Sequence, residues 1–118
     1  MRITEGSMNR FEAQIEVGAT GLVLHLVGNA SAMDAAVLDR KVREVIVLRP
    51  KRVVVDLGEV EFISSTAISL LAHMHRELSG DGGQVVLANA PAQIAEVIER
   101  CRISDLLPLV HSVEAALQ

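Results

Sequence analysis

Residues 52–57 (Arg52, Val53, Val54, Val55, Asp56, Leu57) form a nearly continuous β-branched run between two stretches of helical periodicity. A run of that kind does not alternate as a half-solvated strand does. It reads as a central strand, covered on at least one face and flanked on both edges by further strands. Any fold for this chain must therefore supply those neighbours and a helical layer to cover them.

The flanking segments supply both. Residues 11–17 alternate Phe11, Ala13, Ile15 and Val17 with Glu12, Gln14 and Glu16, the period of a half-buried strand. Gly18, Ala19, Thr20 and Gly21 read as a tight turn. Residues 22–27 then resume as a second strand with Leu22, Leu24 and Leu26 on one face and Val23, His25 and Val27 on the other. On this pattern His25 is a packed or edge-exposed strand residue and not a ligand. Gly28, Asn29, Ala30 and Ser31 close the strand, and Ala35, Leu38, Val42, Val45 and Ile46 mark an amphipathic helix over residues 32–48 that Pro50 terminates.

Beyond the valine run, Gly58, Glu59, Val60 and Glu61 read as a short acidic loop leading into Ser64, Ser65 and Thr66. These hydroxyls open a second helix that carries Ala67, Leu70, Leu71, Met74 and Leu78 on one face, and the glycines at positions 80, 82 and 83 stop it. Residues 84–88 form a further strand. Pro91 suits the first turn of a third helix whose stripe is Ile94, Val97, Ile98 and Cys101, and residues 106–110 suggest a short fifth edge strand. Ser112 caps a last short helix through Val113, Ala116 and Leu117.

The order β-β-α-β-α-β-α-(β)-α, with right-handed crossovers, places strands two, three and four parallel and the first antiparallel. The expected fold is α/β, a mixed four- to five-stranded sheet with helices mainly on one face. Residues 9–118 are expected to form a single domain, with 1–8 an N-terminal extension outside its core. A chain of 118 residues that is 50% hydrophobic but has no Trp, no Tyr and two Phe must build that core from Val, Leu, Ile and Ala.

Composition also narrows the function. A net charge of −4 and the lack of aromatic stacking platforms argue against nucleic acid as a partner. No run approaches the ~18 to 20 apolar residues of a membrane span, so none is expected, and a cytoplasmic location is inferred from that and from the lone Cys101, read as a buried thiol in a reducing compartment. His73 and His75, two apart on a helix, face different ways and cannot clamp one ion; His73 and Glu77 lack a third ligand, and these side chains read as solvent-facing polar residues. Asp56, Glu59 and Glu61 place three carboxylates before the hydroxyl cluster, yet nothing in their spacing brings two together. The glycines after the second helix precede a strand, the reverse of a phosphate-binding loop. Ser65 lacks the glycine-flanked elbow of a nucleophilic serine.

The Ser64, Ser65 and Thr66 cluster carries two readings. One hydroxyl caps the helix, which is worth about 1 kcal/mol. Alternatively, the exposed start of the helix, with backbone N–H groups that favour an anion, accommodates a phosphate on one of them.

Residues 53–71, together with Gly82, Gly83 and the strand at 84–88, and with Ile103, Ser104, Asp105, Leu106, Leu107, Pro108 and Leu109, resemble the STAS domain of bacterial anti-sigma-factor antagonists. The strongest likeness lies in Phe62, Ile63, Ser64, Ser65, Thr66, Ala67 and Ile68, where that family reads aromatic, apolar, Asp, Ser, Ser or Thr, Gly, Leu. The resemblance implies that Ser65 is the phosphoacceptor. It also implies that Ser31, Ser64, Thr66 and Ala67 flank the switch, with Ser64 in the place of the family's Asp, Ala67 in that of its Gly, and Ser31 in that of a second acidic residue.

The function implied by the resemblance is partner switching, without catalysis or a bound cofactor. The unmodified protein binds an anti-sigma factor that is a serine kinase of the histidine-kinase-like ATPase type, phosphorylation by that kinase abolishes binding, and a serine phosphatase is a further partner. ATP belongs to the kinase. The replaced acidic positions, Ser31 and Ser64, motivate an alternative: a constitutive STAS scaffold or adaptor in a signalling or transport-associated complex. An enzyme using Asp56, Glu59 and Glu61 is the remaining and weakest reading.

Overall fold

A computed structural model describes residues 11–103 and 107–117. The chain runs β1 (Glu12–Val17), β2 (Leu22–Ala30), a 3₁₀ turn (Ala32–Asp34), α1 (Ala35–Leu48), β3 (Arg52–Ile63), α2 (Ser65–Ser79), β4 (Gln84–Ala88), α3 (Ala92–Arg100), β5 (Leu109–Val110) and α4 (Val113–Leu117). The strands form one sheet in the order β1-β2-β3-β4-β5. β1 pairs antiparallel with β2, and every other neighbouring pair is parallel. This is the mixed α/β sheet expected from the sequence. The extension at residues 1–8 lies outside the described residues.

Alternation along the strands sorts side chains onto two faces. Leu22, Leu24, Leu26, Val53, Val55, Leu57, Val85 and Leu87 meet Leu38, Val42 and Val45 of α1, Leu71, Met74 and Leu78 of α2, and Ile94 and Ile98 of α3. On the opposite face, Val23, Val54 and Ala88 pack against Val110 of β5 and Val113, Ala116 and Leu117 of α4. Among the described residues every buried side chain is apolar. Burial of that aliphatic surface, at about 25 cal/mol per Å², is the main term holding the layers together. No helix among the described residues is long and apolar enough to cross a membrane.

Local signals end α1 and α2. α1 stops at Arg49, which adopts the left-handed conformation (φ 50°) and donates its N–H to the Ile46 carbonyl at 3.1 Å, with Pro50 following. After α2, the Gly83 N–H donates to the Leu78 carbonyl at 2.9 Å, and a Cβ at Gly83 would sit 2.9 Å from that same oxygen. Only glycine fits so close an approach.

The structure corrects four expectations. Residues 58–61 are not a loop: β3 continues to Ile63, and β2 likewise runs on to Ala30. The register accounts for the difference. His25 faces Asp56 but Val27 faces Glu59, and Gly28 faces Val60 but Asn29 faces Phe62, so β3 twice carries one residue more than β2. These two bulges turn the buried positions into Leu57, Val60 and Ile63, a spacing of three that mimics irregular chain. Second, Cys101 is exposed, because α3 ends at Arg100 and the core-facing stripe ends with Ile98. Third, the first helix opens with a 3₁₀ turn at Ala32–Asp34. Fourth, while His73 is exposed, His75 is half-buried and its Nδ1 is buried without a hydrogen-bond partner among the described residues. The fifth strand is present but shorter than expected.

Leu71, fully buried between sheet and helices, tests this packing. Leu71→Ala is expected to cost about 3 kcal/mol, read as a lowered urea midpoint with an unchanged slope. A loss under about 1 kcal/mol would show that the α2 layer is not packed as described.

Candidate functional site

The parallel pairing of β2 with β3 extends past the end of β4 and delivers two chain segments to the same end of the sheet. β2 leaves at Ala30 into the 3₁₀ turn, and β3 leaves at Ile63, its register partner, into α2. The Ser64 N–H donates to the Ala30 carbonyl at 2.9 Å, prolonging the ladder by one rung. Ser31 and Ser64 thus come directly after the last paired residues of adjacent strands.

Ser64 is the N-cap of α2. Its extended backbone (φ −88°, ψ 161°) aims Oγ back at the helix, where it accepts from the Ala67 N–H at 3.1 Å. Of the two readings of the hydroxyl cluster, capping falls on Ser64 and leaves the next two residues uncommitted to that role. Ser65 and Thr66 are exposed in the first turn. Ala67 is only 1% exposed, so its methyl group lies in the core and it meets the site through its N–H alone.

The first turn of α2 carries no acidic side chain. The partial positive charge of the helix start therefore meets no carboxylate from its own turn, and an anion added at position 65 would interact favourably with it. Across from it, the Ser31 hydroxyl donates to Asp34 Oδ2 at 3.1 Å and the Asp34 N–H donates to the Ser31 carbonyl at 3.1 Å. A carboxylate thus stands beside Ser31, tied into its own turn.

Two apolar side chains border this end of the sheet, and sequence reasoning missed both. Met33, in the 3₁₀ turn, is 94% exposed, and Phe62, two residues before the cap, is 51% exposed. Phe62 follows the expected acidic loop and belongs to no periodic pattern; only its place in the aromatic-to-hydroxyl motif hinted at a site. Met33 gave no signal, since it lies off the apolar stripe of the helix expected over residues 32–48. Large apolar groups beside a polar helix start suit a protein-binding surface.

The three carboxylates weighed from the sequence do not gather here. Asp56 accepts from the Gly58 N–H at 3.0 Å and from Asn89 Nδ2 at 3.2 Å, and also meets His25; Glu59 and Glu61 are exposed along the bulged strand. Among the described residues, no group of three or more His, Cys, Asp or Glu is placed to hold a metal ion.

Comparison with known proteins agrees with this architecture. The family model of the STAS domain matches residues 10–116, and the chain belongs to that family. Anti-sigma-F factor antagonist RsfA of Mycobacterium tuberculosis is 25% identical over 111 residues, covering 92% of this chain and 87% of the relative. The crystal structure of an anti-sigma factor antagonist from Mycobacterium paratuberculosis superposes with a TM-score of 0.85 at 21% identity, over 94% of each chain. SpoIIAA, solved unphosphorylated, superposes at 0.73 with 18% identity over 88% of this chain and 92% of its own. Its phosphorylated form, described as a Bacillus cell fate determinant, superposes at 0.66 with 18% identity over 90% and 96%. At such identities the superpositions establish the fold.

Removing each hydroxyl in turn should separate the capping residue from its neighbours within the cluster. Ser64→Ala is expected to lower stability by about 1 kcal/mol in urea unfolding, while Ser65→Ala changes it by less than about 0.5 kcal/mol. Equal losses would show that the capping role is shared.

Proposed function

We propose that this STAS domain is an anti-sigma-factor antagonist whose binding is switched by phosphorylation of Ser65, with residues 9–118 acting as a single domain. The observation that carries the reading is an exposed Ser65 in the first turn of a helix already capped by its neighbour, at the end of the sheet where Met33 and Phe62 are exposed. The hydroxyl is free to change its chemistry without removing the cap. The likeness to proteins named as anti-sigma factor antagonists supplies the class of partner.

In this reading the unmodified protein docks on an anti-sigma factor that is a serine kinase of the histidine-kinase-like ATPase type, working in the cytoplasm. The kinase transfers the γ-phosphoryl group of its ATP to Ser65 Oγ; the O–P bond forms as the bond to ADP breaks, and the hydroxyl proton passes to a base on the kinase. The protein is substrate and ligand, with no catalytic role of its own. A serine phosphatase returns the hydroxyl by hydrolysis.

Phosphorylation adds roughly −1.5 to −2 charge units and three acceptor oxygens. At the helix start that charge is tolerated by the folded protein, because it lies at the positive end of the dipole. In the complex it lies at an interface that apolar groups have dried, where a cost of about 3 kcal/mol weakens binding around a hundredfold. Fold and affinity are thereby uncoupled.

Incubation with the cognate kinase and ATP should add one phosphoryl mass to the native protein, mapped by tandem mass spectrometry to residues 64–66, and none to Ser65→Ala. Modification elsewhere, or none, would contradict the switch. The serines at positions 31 and 64 favour the constitutive adaptor as a second reading, under which Ser65→Asp binds its partner as tightly as the native protein.

A further inference from the structure

On the face of the sheet opposite the three long helices, His25 of β2 stands between two carboxylates from different strands. Its Nδ1 lies 2.9 Å from Asp56 Oδ2 on β3, and its Nε2 lies 2.8 Å from Glu16 Oε1 on β1. A neutral imidazole has one N–H, so it can donate to only one of these oxygens and turns a lone pair toward the other. Imidazolium donates to both. Two short contacts to ionised carboxylates therefore fit the protonated ring.

The Asp56 carboxylate is itself a junction. Asp56 Oδ1 accepts from the Gly58 N–H at 3.0 Å, within the first bulge of β3, and from Asn89 Nδ2 at 3.2 Å, just after β4. Asn89 holds a left-handed backbone (φ 62°), a conformation that Asn tolerates better than most residues. One proton on His25 thus bears on edge strand β1, on the bulge and on the β4 exit.

We propose that His25 is a proton-operated clasp that ties β1 and the bulged segment of β3 to β2, closed when the ring is cationic and loosened when it is neutral. The groups facing it are Glu16 on β1 and Asp56 on β3, with Glu12 and Gln14 of β1 and Glu59 of β3 in the same neighbourhood. An open cleft of about 520 Å³ lined by Glu12, Gln14, Glu16, His25 and Glu59 gives solvent protons access to the ring.

The titration behaviour has a defined sign. Burial pulls the His25 pKa down, but the hydrogen bonds to Glu16 and Asp56 and the charges of both carboxylates outweigh it, so the value lies above the ordinary 6.5. Its stabilisation is complete below that ordinary value and is lost as pH rises through the folded value. Burial likewise pushes Asp56 up, yet hydrogen bonds from Gly58, Asn89 and His25 with the His25 charge bring it below 3.8. Its contribution is present above 3.8 and is lost as pH falls through the folded value. The clasp is strongest between the two.

Nuclear magnetic resonance titration of the native protein tests this. The His25 ring should titrate above 6.5, the Gly58 amide should track the same midpoint, and Glu16→Gln should lower that midpoint. Stability in urea should fall as pH rises from below 6.5 through the His25 midpoint, more steeply in the native protein than in His25→Gln. A His25 midpoint at or below 6.5, or a Gly58 amide that ignores it, overturns the proposal. If His25→Gln does not fold, the native titration still decides.

Discussion

The pairing of β2 with the full length of β3 is the constraint on which the rest depends. Its first half is ordinary parallel sheet, shared with β4 and buried on both faces at Val54. Its second half runs beyond β4 with two extra residues in β3, and it ends where the Ser64 N–H reaches the Ala30 carbonyl. Without those bulges, the strict alternation of a strand would bring a different set of side chains inward, and Leu57, Val60 and Ile63 would not all reach the core. With them, the strand twists and hands α2 its capping residue in a fixed place. The site is a product of register before it is a product of side-chain chemistry.

That origin explains how a surface can change charge while the fold stands. The aliphatic core lies between the sheet and α1, α2 and α3, and α4 covers part of the other face. Ser64 binds the helix to the sheet, Ala67 anchors the first turn in the core, and Ser65 projects between them into solvent. In the proposed switch, structural and regulatory demands thus fall on adjacent residues and not on the same one. A similar division holds on the other face, where His25, Glu16 and Asp56 join strands by charge while the alternate positions, Leu24 and Leu26, hold them by burial.

Much of the fold was legible because apolar periodicity reports which faces are buried, and in β1, β2, α1 and α2 the periods are regular. Legibility failed where a regular period was broken or wrongly extended. The spacing of three at Leu57, Val60 and Ile63 belongs to neither helix nor strand, so a bulged strand read as a loop. Cys101 continued the spacing of Ile94 and Ile98, but the helix ended one residue earlier. The site was half visible: consecutive hydroxyls before an amphipathic segment mark a helix start, yet which one caps it is decided by the backbone turn at Ser64. The His25 contacts span 9 and 31 residues in sequence, and no local pattern encodes a pairing of that range.

The central claim is that the chemical state of one exposed hydroxyl at the start of α2 sets affinity for a protein partner without altering the fold. Calorimetric titration of the cognate anti-sigma factor with protein carrying genetically encoded phosphoserine at position 65, beside the unmodified protein, addresses it most directly. The account predicts an unchanged circular dichroism spectrum and binding weakened roughly a hundredfold, about 3 kcal/mol. Equal affinity of the two forms would contradict it.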